Sequence, residues 1–143
     1  DIWIMYAVIK TKKQAKQLVD SFEKVNVSSL DDLEKLPRET VVYAVCDKKG
    51  KTAYVGKAVD MKSRWWAKNI VKVPQPAEGE YVPYNHPKYA SKNSIFWNPH
   101  KMLEYVLEEG YSLSYKKMTR LEAAHIELDL INLMKPKHNK KMS

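Results

Sequence analysis

The amino-acid sequence predicts a single α+β domain in which helices flank a small central antiparallel β-sheet. Two local features support this: a β-hairpin within residues 40–55 and a capped helix that begins near residue 119. The third is the order of elements, in which helices, a hairpin, a helix, an insertion, a helix, a strand and a helix follow one another. With 143 residues, the chain is long enough to form one hydrophobic core without disulfide bonds or metal ions to stabilise it.

The first 39 residues predict an N-terminal extension of strand and helix. Residues 2–9 are expected to form a strand, and residues 10–25 a helix with one apolar stripe. The residues of this stripe are Leu18, Val19, Phe22 and Val25. A short capped helix follows and ends before Pro37. Four lysines near the start of the first helix are expected to form a solvated face, with phosphate contact as the alternative. They are Lys10, Lys12, Lys13 and Lys16.

The hairpin follows this extension. Residues 40–45 are rich in β-branched side chains, and Asp47 and Gly50 flank two lysines in the pattern of a type I turn closed by a left-handed glycine. The residues 50–52 resemble the end of a phosphate-binding P-loop. However, Val45 stands where that motif needs its first glycine, and a strand follows where it needs a helix, so a P-loop site is excluded. Cys46 is expected to be a small buried hydrophobe of the strand.

The second half of the chain predicts an insertion between helices. Asp60 is expected to cap a helix that extends to about residue 69, and residues 71–100 contain five prolines without sustained periodicity. A helix that ends at Gly110 and a strand with one wet face follow. Thr119 and Glu122 then form a capping box for the last helix, which cannot continue beyond Pro136.

The charge balance favours polyanionic partners. Lysine and arginine number 25 against 17 acidic residues, a net charge of +8, which suits nucleic acid or an anionic membrane. A single cysteine excludes a disulfide framework and a cysteine-based zinc site. The apolar opening at residues 2–9 is too short to span a bilayer and lacks the basic region of a secretion signal. These features predict a soluble intracellular protein.

Glu127 stands out among the carboxylates of the last predicted helix. The residues three and four positions away from it are all apolar, and they are Ala123, Ala124, Leu130 and Ile131. Glu122 has a capping role, and Asp129 has polar helical neighbours. A carboxylate on an apolar face costs free energy unless it is paired or binds a metal. Spacing alone leaves open a metal ligand, an edge position or a salt bridge.

Several of these elements together resemble the GIY-YIG nuclease family. The tripeptide VVY occupies residues 41–43, YVG occupies residues 54–56, and an arginine stands eight positions beyond the glycine of YVG. The late family pattern is a glutamate, then a proline nine positions on and an asparagine twelve positions on. The matching residues here are Glu127, Pro136 and Asn139. The resemblance implies a nuclease domain at residues 40–143, with an insertion at about 71–100, after an extension at residues 1–39.

By this resemblance, the chain is expected to be a metal-dependent DNA endonuclease that hydrolyses phosphodiester bonds, as a restriction enzyme, a phage or mobile-element endonuclease, or a repair-type nuclease. Glu127 would hold one Mg²⁺ ion, for which Mn²⁺ can substitute, and Arg64 would fork onto the scissile phosphate. Tyr43 or Tyr54 would take the proton from water, with Lys57 lowering the pKa of the phenol. The choice between the tyrosines stays open, because a one-residue slip in register moves a side chain to the other face.

The resemblance also assigns supporting roles. Asn139 would brace the site, Gly56 would let a phosphate approach the backbone, and one of the adjacent residues Trp65 and Trp66 would belong to the core. The residues expected to bind nucleic acid are Trp66, Lys68, Lys137 and Lys140. Lys68 departs from the family, many members of which have histidine or tyrosine there. The insertion at 71–100 could supply base contacts.

The expected partner is double-stranded DNA, in a bacterial or phage-infected cell. A catalytically inactive, basic nucleic-acid-binding module and an RNA-directed enzyme are the alternatives. The four histidines, at positions 86, 100, 125 and 138, form no pair at the spacing of metal ligands on a helix. They are expected to be surface residues or to have their hydrogen bonds satisfied.

Overall fold

The computed structural model describes residues 9–65, 70–72, 81–83 and 100–139. The helices are α1 (Lys12–Asp20), a 3-10 helix (Leu30–Lys35), α2 (Met61–Trp65), α3 (Leu103–Glu108) and α4 (Arg120–Met134). The strands are β1 (Glu23–Val25), β2 (Val41–Cys46), β3 (Thr52–Ala58), β4 (Ile70–Lys72), β5 (Tyr81–Pro83) and β6 (Ser112–Lys117). The predicted strand at residues 2–9 lies outside the described residues, apart from the buried Ile9.

Four strands form an antiparallel sheet in the order β1-β6-β2-β3, which confirms the predicted α+β class. The strand β3 lies at one edge of this sheet. Two short strands of the insertion, β4 and β5, pair with each other in a separate antiparallel ribbon. In the described part of the chain, no helix has both the length and the apolar character needed to cross a membrane.

The first helix is shorter than predicted. A capping box of Thr11 and Gln14 begins α1, and Ser21 ends it, where the backbone N–H of Ser21 donates to the carbonyl oxygens of the last turn. The prediction that Val25 belongs to this helix is wrong, because Val25 lies in β1 and pairs with Leu113 of β6. Tertiary pairing with β6 therefore outweighs the helical spacing of the apolar residues.

The hairpin has the predicted turn. Gly50 has a φ of +85°, and its N–H donates to the carbonyl oxygen of Asp47 over 2.9 Å. The side chain of Asp47 accepts from the backbone N–H groups of Lys49 and Lys51, both at 2.9 Å. This turn fixes the register of β2 against β3, since the number of turn residues sets which residues face each other.

The two faces of the sheet carry different layers. One face, which includes Val41, Tyr43 and Tyr54, packs with the 3-10 helix, α2 and α3. The opposite face packs with α1 and α4 through Val42, Ala44 and Val55 on the sheet side. The strand β6 lies between β1 and β2 and is covered on both faces. The prediction that one of its faces is exposed to water is wrong at the centre of the strand, where Leu113, Ser114 and Tyr115 are all buried.

The helices near the predicted site begin at the expected residues. Asp60 accepts from the N–H of Ser63 over 3.1 Å at the start of α2, and residues 66–69 of that predicted helix lie outside the described residues. Thr119 and Glu122 form the predicted capping box of α4. The helix ends at Lys135, whose φ of 47° turns the chain before Pro136.

Candidate active site

Tyr43 and Tyr54 lie side by side on one face of the hairpin. Tyr43 pairs with Gly56 across the strands, and Tyr54 pairs with Val45, so the two tyrosines are diagonal neighbours. Their ring centroids are 6.2 Å apart, at an interplanar angle of 29°. The register that sequence could not fix therefore brings both candidate bases to the same place.

Gly56 makes room for Tyr43. A Cβ atom at position 56 would lie 2.5 Å from both Cζ and Oη of the Tyr43 ring, closer than van der Waals contact allows. The expectation that this glycine opens the backbone to a phosphate is wrong on this face of β3, because the tyrosine ring already occupies the space. The glycine instead sets the position of the Tyr43 hydroxyl.

The short helix α2 is held by its buried residues. Met61 and Trp65 are fully buried, and the Trp65 ring meets Tyr43 edge-on, with centroids 5.5 Å apart. Trp65 is thus the core member of the tryptophan pair, as predicted for one of the two. Since Arg64 immediately precedes this anchored indole, the packing of Trp65 fixes where the arginine leaves the helix.

His100 completes an aromatic cluster that sequence reasoning did not foresee. The residue is 2% exposed, and its ring stacks on Trp65 with centroids 3.9 Å apart and an interplanar angle of 11°. Its Nδ1 atom accepts from the backbone N–H of Met102 over 3.0 Å, and its Nε2 atom lies 2.7 Å from the hydroxyl oxygen of Tyr43. The expectation of a satisfied histidine is confirmed, but the partner is a candidate catalytic residue.

These contacts orient a chain of hydrogen bonds. Because Nδ1 of His100 accepts a hydrogen bond from the backbone N–H of Met102, the ring proton is on Nε2, which donates a hydrogen bond to the hydroxyl oxygen of Tyr43. The Tyr43 hydroxyl is then left to donate to Tyr54. A hydrogen bond between the two tyrosines raises the pKa of Tyr43 and lowers that of Tyr54, as expected when Tyr43 is the donor.

Arg64 and Glu127 act on both tyrosines. Burial is the largest cause that raises the pKa of each phenol above its usual value of 10.0. The guanidinium of Arg64 opposes this rise at both residues, and the carboxylate of Glu127 adds to it. Lys57, the cation predicted for this role, lies on the opposite face of β3 from Tyr54 and pairs with Glu127.

Lys57 and Glu127 form an ion pair on the other face of β3. Nζ of Lys57 lies 3.7 Å from Oε1 of Glu127, and the Glu127 side chain is 23% exposed. Burial raises the pKa of Glu127, and the nearby Lys57 lowers it by a smaller amount. Of the possibilities that spacing left open for Glu127, the structure shows a salt bridge at the border of the apolar face.

The donors around Glu127 fit a metal that keeps most of its water. Among the described residues, no three histidine, cysteine or acidic side chains converge in a way that could hold an ion. One carboxylate that is still reached by solvent suits Mg²⁺, which is commonly held by one or two carboxylates together with substrate phosphates. A cation at Oε1 would compete with the ammonium group of Lys57.

Asn139 fastens the edge strand β3. Its side-chain oxygen accepts from the N–H of Val55, and its side-chain nitrogen donates to the carbonyl oxygen of Val55, each over 2.9 Å. The N–H of His138 also donates to the carbonyl oxygen of Ala53 over 3.0 Å. The turn after α4 therefore docks along β3 beside Tyr54, which is the bracing position predicted for Asn139.

A lysine next to His100 adds positive charge that the sequence did not reveal. Nζ of Lys101 lies 4.9 Å from the centre of the Tyr54 ring and donates to the carbonyl oxygen of His138 over 3.2 Å. Lys137 is exposed in the docked turn. The other predicted nucleic-acid-binding residues, Trp66, Lys68 and Lys140, lie outside the described residues. Only a weak sequence signal marked His100 and Lys101, namely their position just before the apolar start of α3.

Tyr43, Tyr54 and His100 thus contact one another on one face of the sheet, with Arg64 on the adjoining helix α2 and Glu127 on the opposite face of β3. Such a group can accept a proton, bind a phosphate and hold one divalent cation. No family model, no curated protein and no solved structure matches this chain.

Proposed function

We propose that this chain hydrolyses phosphodiester bonds of double-stranded DNA with the help of one divalent cation, Mg²⁺ or Mn²⁺. The observation that carries the proposal is the pairing of Tyr43 and Tyr54 on one face of the hairpin, with ring centroids 6.2 Å apart, against the helix that bears Arg64. Arg64 lowers, and Glu127 raises, the pKa of both Tyr43 and Tyr54. The resemblance to GIY-YIG nucleases assigns the same four residues to one site.

Tyr54 is the better candidate for the general base. In the hydrogen-bond chain Tyr43 is the donor and Tyr54 the acceptor, so a Tyr54 phenolate would keep a donor directed at its oxygen. Loss of the Tyr43 proton would break the same chain, and its pKa is the more strongly raised. Tyr43 therefore supports the base, and His100 positions Tyr43.

The reaction follows from these positions. The base is the phenolate form of Tyr54, which takes a proton from the attacking water and becomes the neutral phenol while the new P–O bond forms and the P–O bond to the leaving oxygen breaks. Arg64 donates two N–H groups to the non-bridging oxygens, where charge grows in the transition state. Glu127 would hold the divalent cation, which supplies positive charge toward the leaving oxygen when bound. Asn139 holds β3, and with it Tyr54, at a fixed position.

The edge position of β3 makes one substrate reachable from both faces. Tyr54 belongs to the α2 and α3 face, whereas Lys57 and Glu127 belong to the α4 face. The turn after α4 covers the edge of β3 at Ala53 and Val55. A phosphodiester would therefore reach both faces at the Gly56–Lys57 end of the strand, beyond this turn.

The test is cleavage of supercoiled plasmid by wild type and by Glu127→Gln, with Mg²⁺, with Mn²⁺ and with a chelator. Glutamine keeps the size of the side chain but removes its charge, so cleavage should fall by roughly 100-fold or more. Asp129→Asn removes the same charge from the same helix and should cleave at the wild-type rate. Affinity for DNA should be unchanged or higher in Glu127→Gln, because less negative charge opposes the phosphates.

The alternative function, a binding module without catalysis, predicts different results. Wild type would then bind the plasmid but show no cleavage above the chelated control. Equal cleavage by wild type and Glu127→Gln would instead show that the cation binds elsewhere. Faster hydrolysis of an RNA duplex than of the DNA duplex of the same sequence would favour the RNA-directed enzyme.

A further inference from the structure

A second positively charged feature lies at the far end of the hairpin. A cavity of about 300 Å³ opens there between α1 and the turn that joins β2 to β3. We name it the hairpin cavity. Its side chains include Lys12, Lys16, Lys49, Lys51, Thr52 and Met134. Its charged groups come from two elements that are more than thirty positions apart in sequence, so the separate lysines of the sequence form one surface only after folding.

The carboxylates near the hairpin cavity do not cancel the positive charge of its lysines, so the cavity is strongly positive. Within the described residues, its lining contains no acidic side chain. Asp20 pairs with Lys16 over 3.4 Å, and both side chains are more than half exposed, so water screens this pair. The Asp47 side chain accepts from the backbone N–H groups of Lys49 and Lys51 and so turns inward to the hairpin.

Four lysines line one open cavity, and their positive charge attracts phosphate. Like charges held close together repel, and a bound anion relieves this repulsion. The cavity volume is ample for a phosphodiester group with its water, and lysines contact phosphates as point charges without a fixed geometry. The positive charge of the lysines that line the hairpin cavity therefore suits an anionic partner such as a nucleic-acid backbone.

The position of the cavity relates it to the candidate active site. Thr52 is two residues before Tyr54 on β3, which corresponds to about 7 Å along the strand. Met134 is seven residues after Glu127 on α4, which corresponds to about 10 Å along the helix. Each step of a DNA strand advances about 3.4 Å along the duplex axis, so the two sites are separated by roughly two or three steps.

We propose that the hairpin cavity binds the phosphate backbone of the same DNA duplex that the active site cleaves, a few base pairs from the scissile bond. This inference rests on the proposed function for its substrate. The cavity would supply affinity and orientation, because phosphate contacts position a duplex without reading its sequence. Lys12 and Lys16, which were expected to lie on a solvated face, would then contact phosphate groups of the DNA.

The test compares two matched double variants. Lys12→Gln/Lys49→Gln removes two charges from the cavity. Lys13→Gln/Lys48→Gln removes two charges from the adjacent positions of the same elements, which do not line it. Binding of a fluorescent 30-base-pair duplex is measured by anisotropy in a chelator, at salt concentrations between about 50 and 200 mM, where phosphate contacts dominate affinity. Circular dichroism confirms that each variant is folded.

The cavity variant should lose affinity, and the slope of log Kd against log salt should fall by about 1.8, or 0.9 for each lost phosphate contact. The control variant should change that slope by less than half as much. Equal slopes in the two variants would overturn the inference. So would a cavity variant that keeps its affinity for the duplex but no longer binds phosphatidylserine vesicles, since the partner would then be a membrane surface.

Failure of the inference is distinguishable from failure of the proposed function. If wild type cleaves plasmid but the two double variants bind the duplex equally, the hairpin cavity is wrong and the nuclease stands. If only the cavity variant has a reduced slope of log Kd against log salt, and wild type cleaves nothing, the cavity binds DNA and the catalytic proposal is wrong. If wild type does not bind the duplex, both are wrong.

Discussion

Nε2 of His100 lies 2.7 Å from the hydroxyl oxygen of Tyr43, across 57 positions of sequence. The bond joins the chain that follows the insertion to the middle of β2. It also determines the direction of the hydrogen bonds in the site, because His100 donates to Tyr43 and Tyr43 in turn donates to Tyr54. The geometry of the proposed base therefore depends on a residue outside the family pattern.

Substitution of His100 should test this dependence. His100→Phe keeps a flat ring against Trp65 but removes both hydrogen bonds, so kcat should fall about 10- to 100-fold, equivalent to roughly 1–3 kcal/mol. KM should change little, because no contact to DNA is lost. His100→Gln retains a donor and should recover part of the rate, while His125→Phe on the exposed face of α4 is the control. Wild-type kcat in His100→Phe would refute the positioning role.

Arg64→Lys should reduce cleavage by at least about 100-fold, because lysine keeps the charge but loses the two-pronged hydrogen bond to phosphate. The matched control is Arg38→Lys, the same substitution at an arginine that pairs with Asp60 over 3.1 Å. That variant should cleave within about threefold of wild type, as expected for an exposed ion pair. Single-turnover rates at saturating protein separate this effect from weaker binding. Near-normal cleavage by Arg64→Lys would remove the arginine from the site.

Gly56→Ala should disturb both stability and catalysis. The new methyl group would lie 2.5 Å from the Tyr43 ring, so the ring must move, at a cost of about 1–3 kcal/mol. Gly50→Ala is the control: its φ of +85° also strains an alanine, but a Cβ there meets no atom within 4 Å. Urea unfolding should show a loss of stability in both variants, and only Gly56→Ala should also lose cleavage under conditions in which it is folded.

Tyr43 should contribute to alkaline unfolding. Its pKa is raised in the folded protein, chiefly by burial, so above pH ~10 the unfolded chain releases this proton first. The contribution of the neutral phenol to stability is complete below that pH and declines as pH rises further. The free energy of unfolding, measured with urea at pH 7, 9 and 10.5, should therefore fall more steeply with pH in wild type than in Tyr43→Phe. Parallel losses in the two proteins would contradict this.

Local sequence patterns predicted the elements that depend on neighbouring residues. The Asp47–Gly50 turn, the Thr119–Glu122 capping box and the cap at Asp60 all use contacts within four positions, and all are present. The end of α1 was not predicted. The apolar spacing continued to Val25, and only its pairing with β6 shows that the chain had changed to a strand.

The candidate site was predictable where the spacing that resembles GIY-YIG nucleases marked it, and not where distant segments meet. Tyr43, Tyr54, Arg64 and Glu127 were all chosen from sequence. Lys57 was expected to lie beside a tyrosine. Side chains alternate along β3, so Lys57 and Tyr54 lie on opposite faces, and Lys57 pairs with Glu127 instead. A tripeptide alone cannot reveal this. His100 was missed because its position depends on the return of the chain after about thirty residues of insertion.

The stacked pair of Trp65 and His100 has a consequence for how this domain can diversify. The chain leaves the described core at the indole and re-enters it at the imidazole, and the two rings are 3.9 Å apart. The ends of the intervening segment are thus closed by the core itself, and lengthening a closed loop costs only about 0.6 kcal/mol for each doubling. A change in the length of the segment between the two rings should therefore cost the core little stability, provided that both closing rings remain.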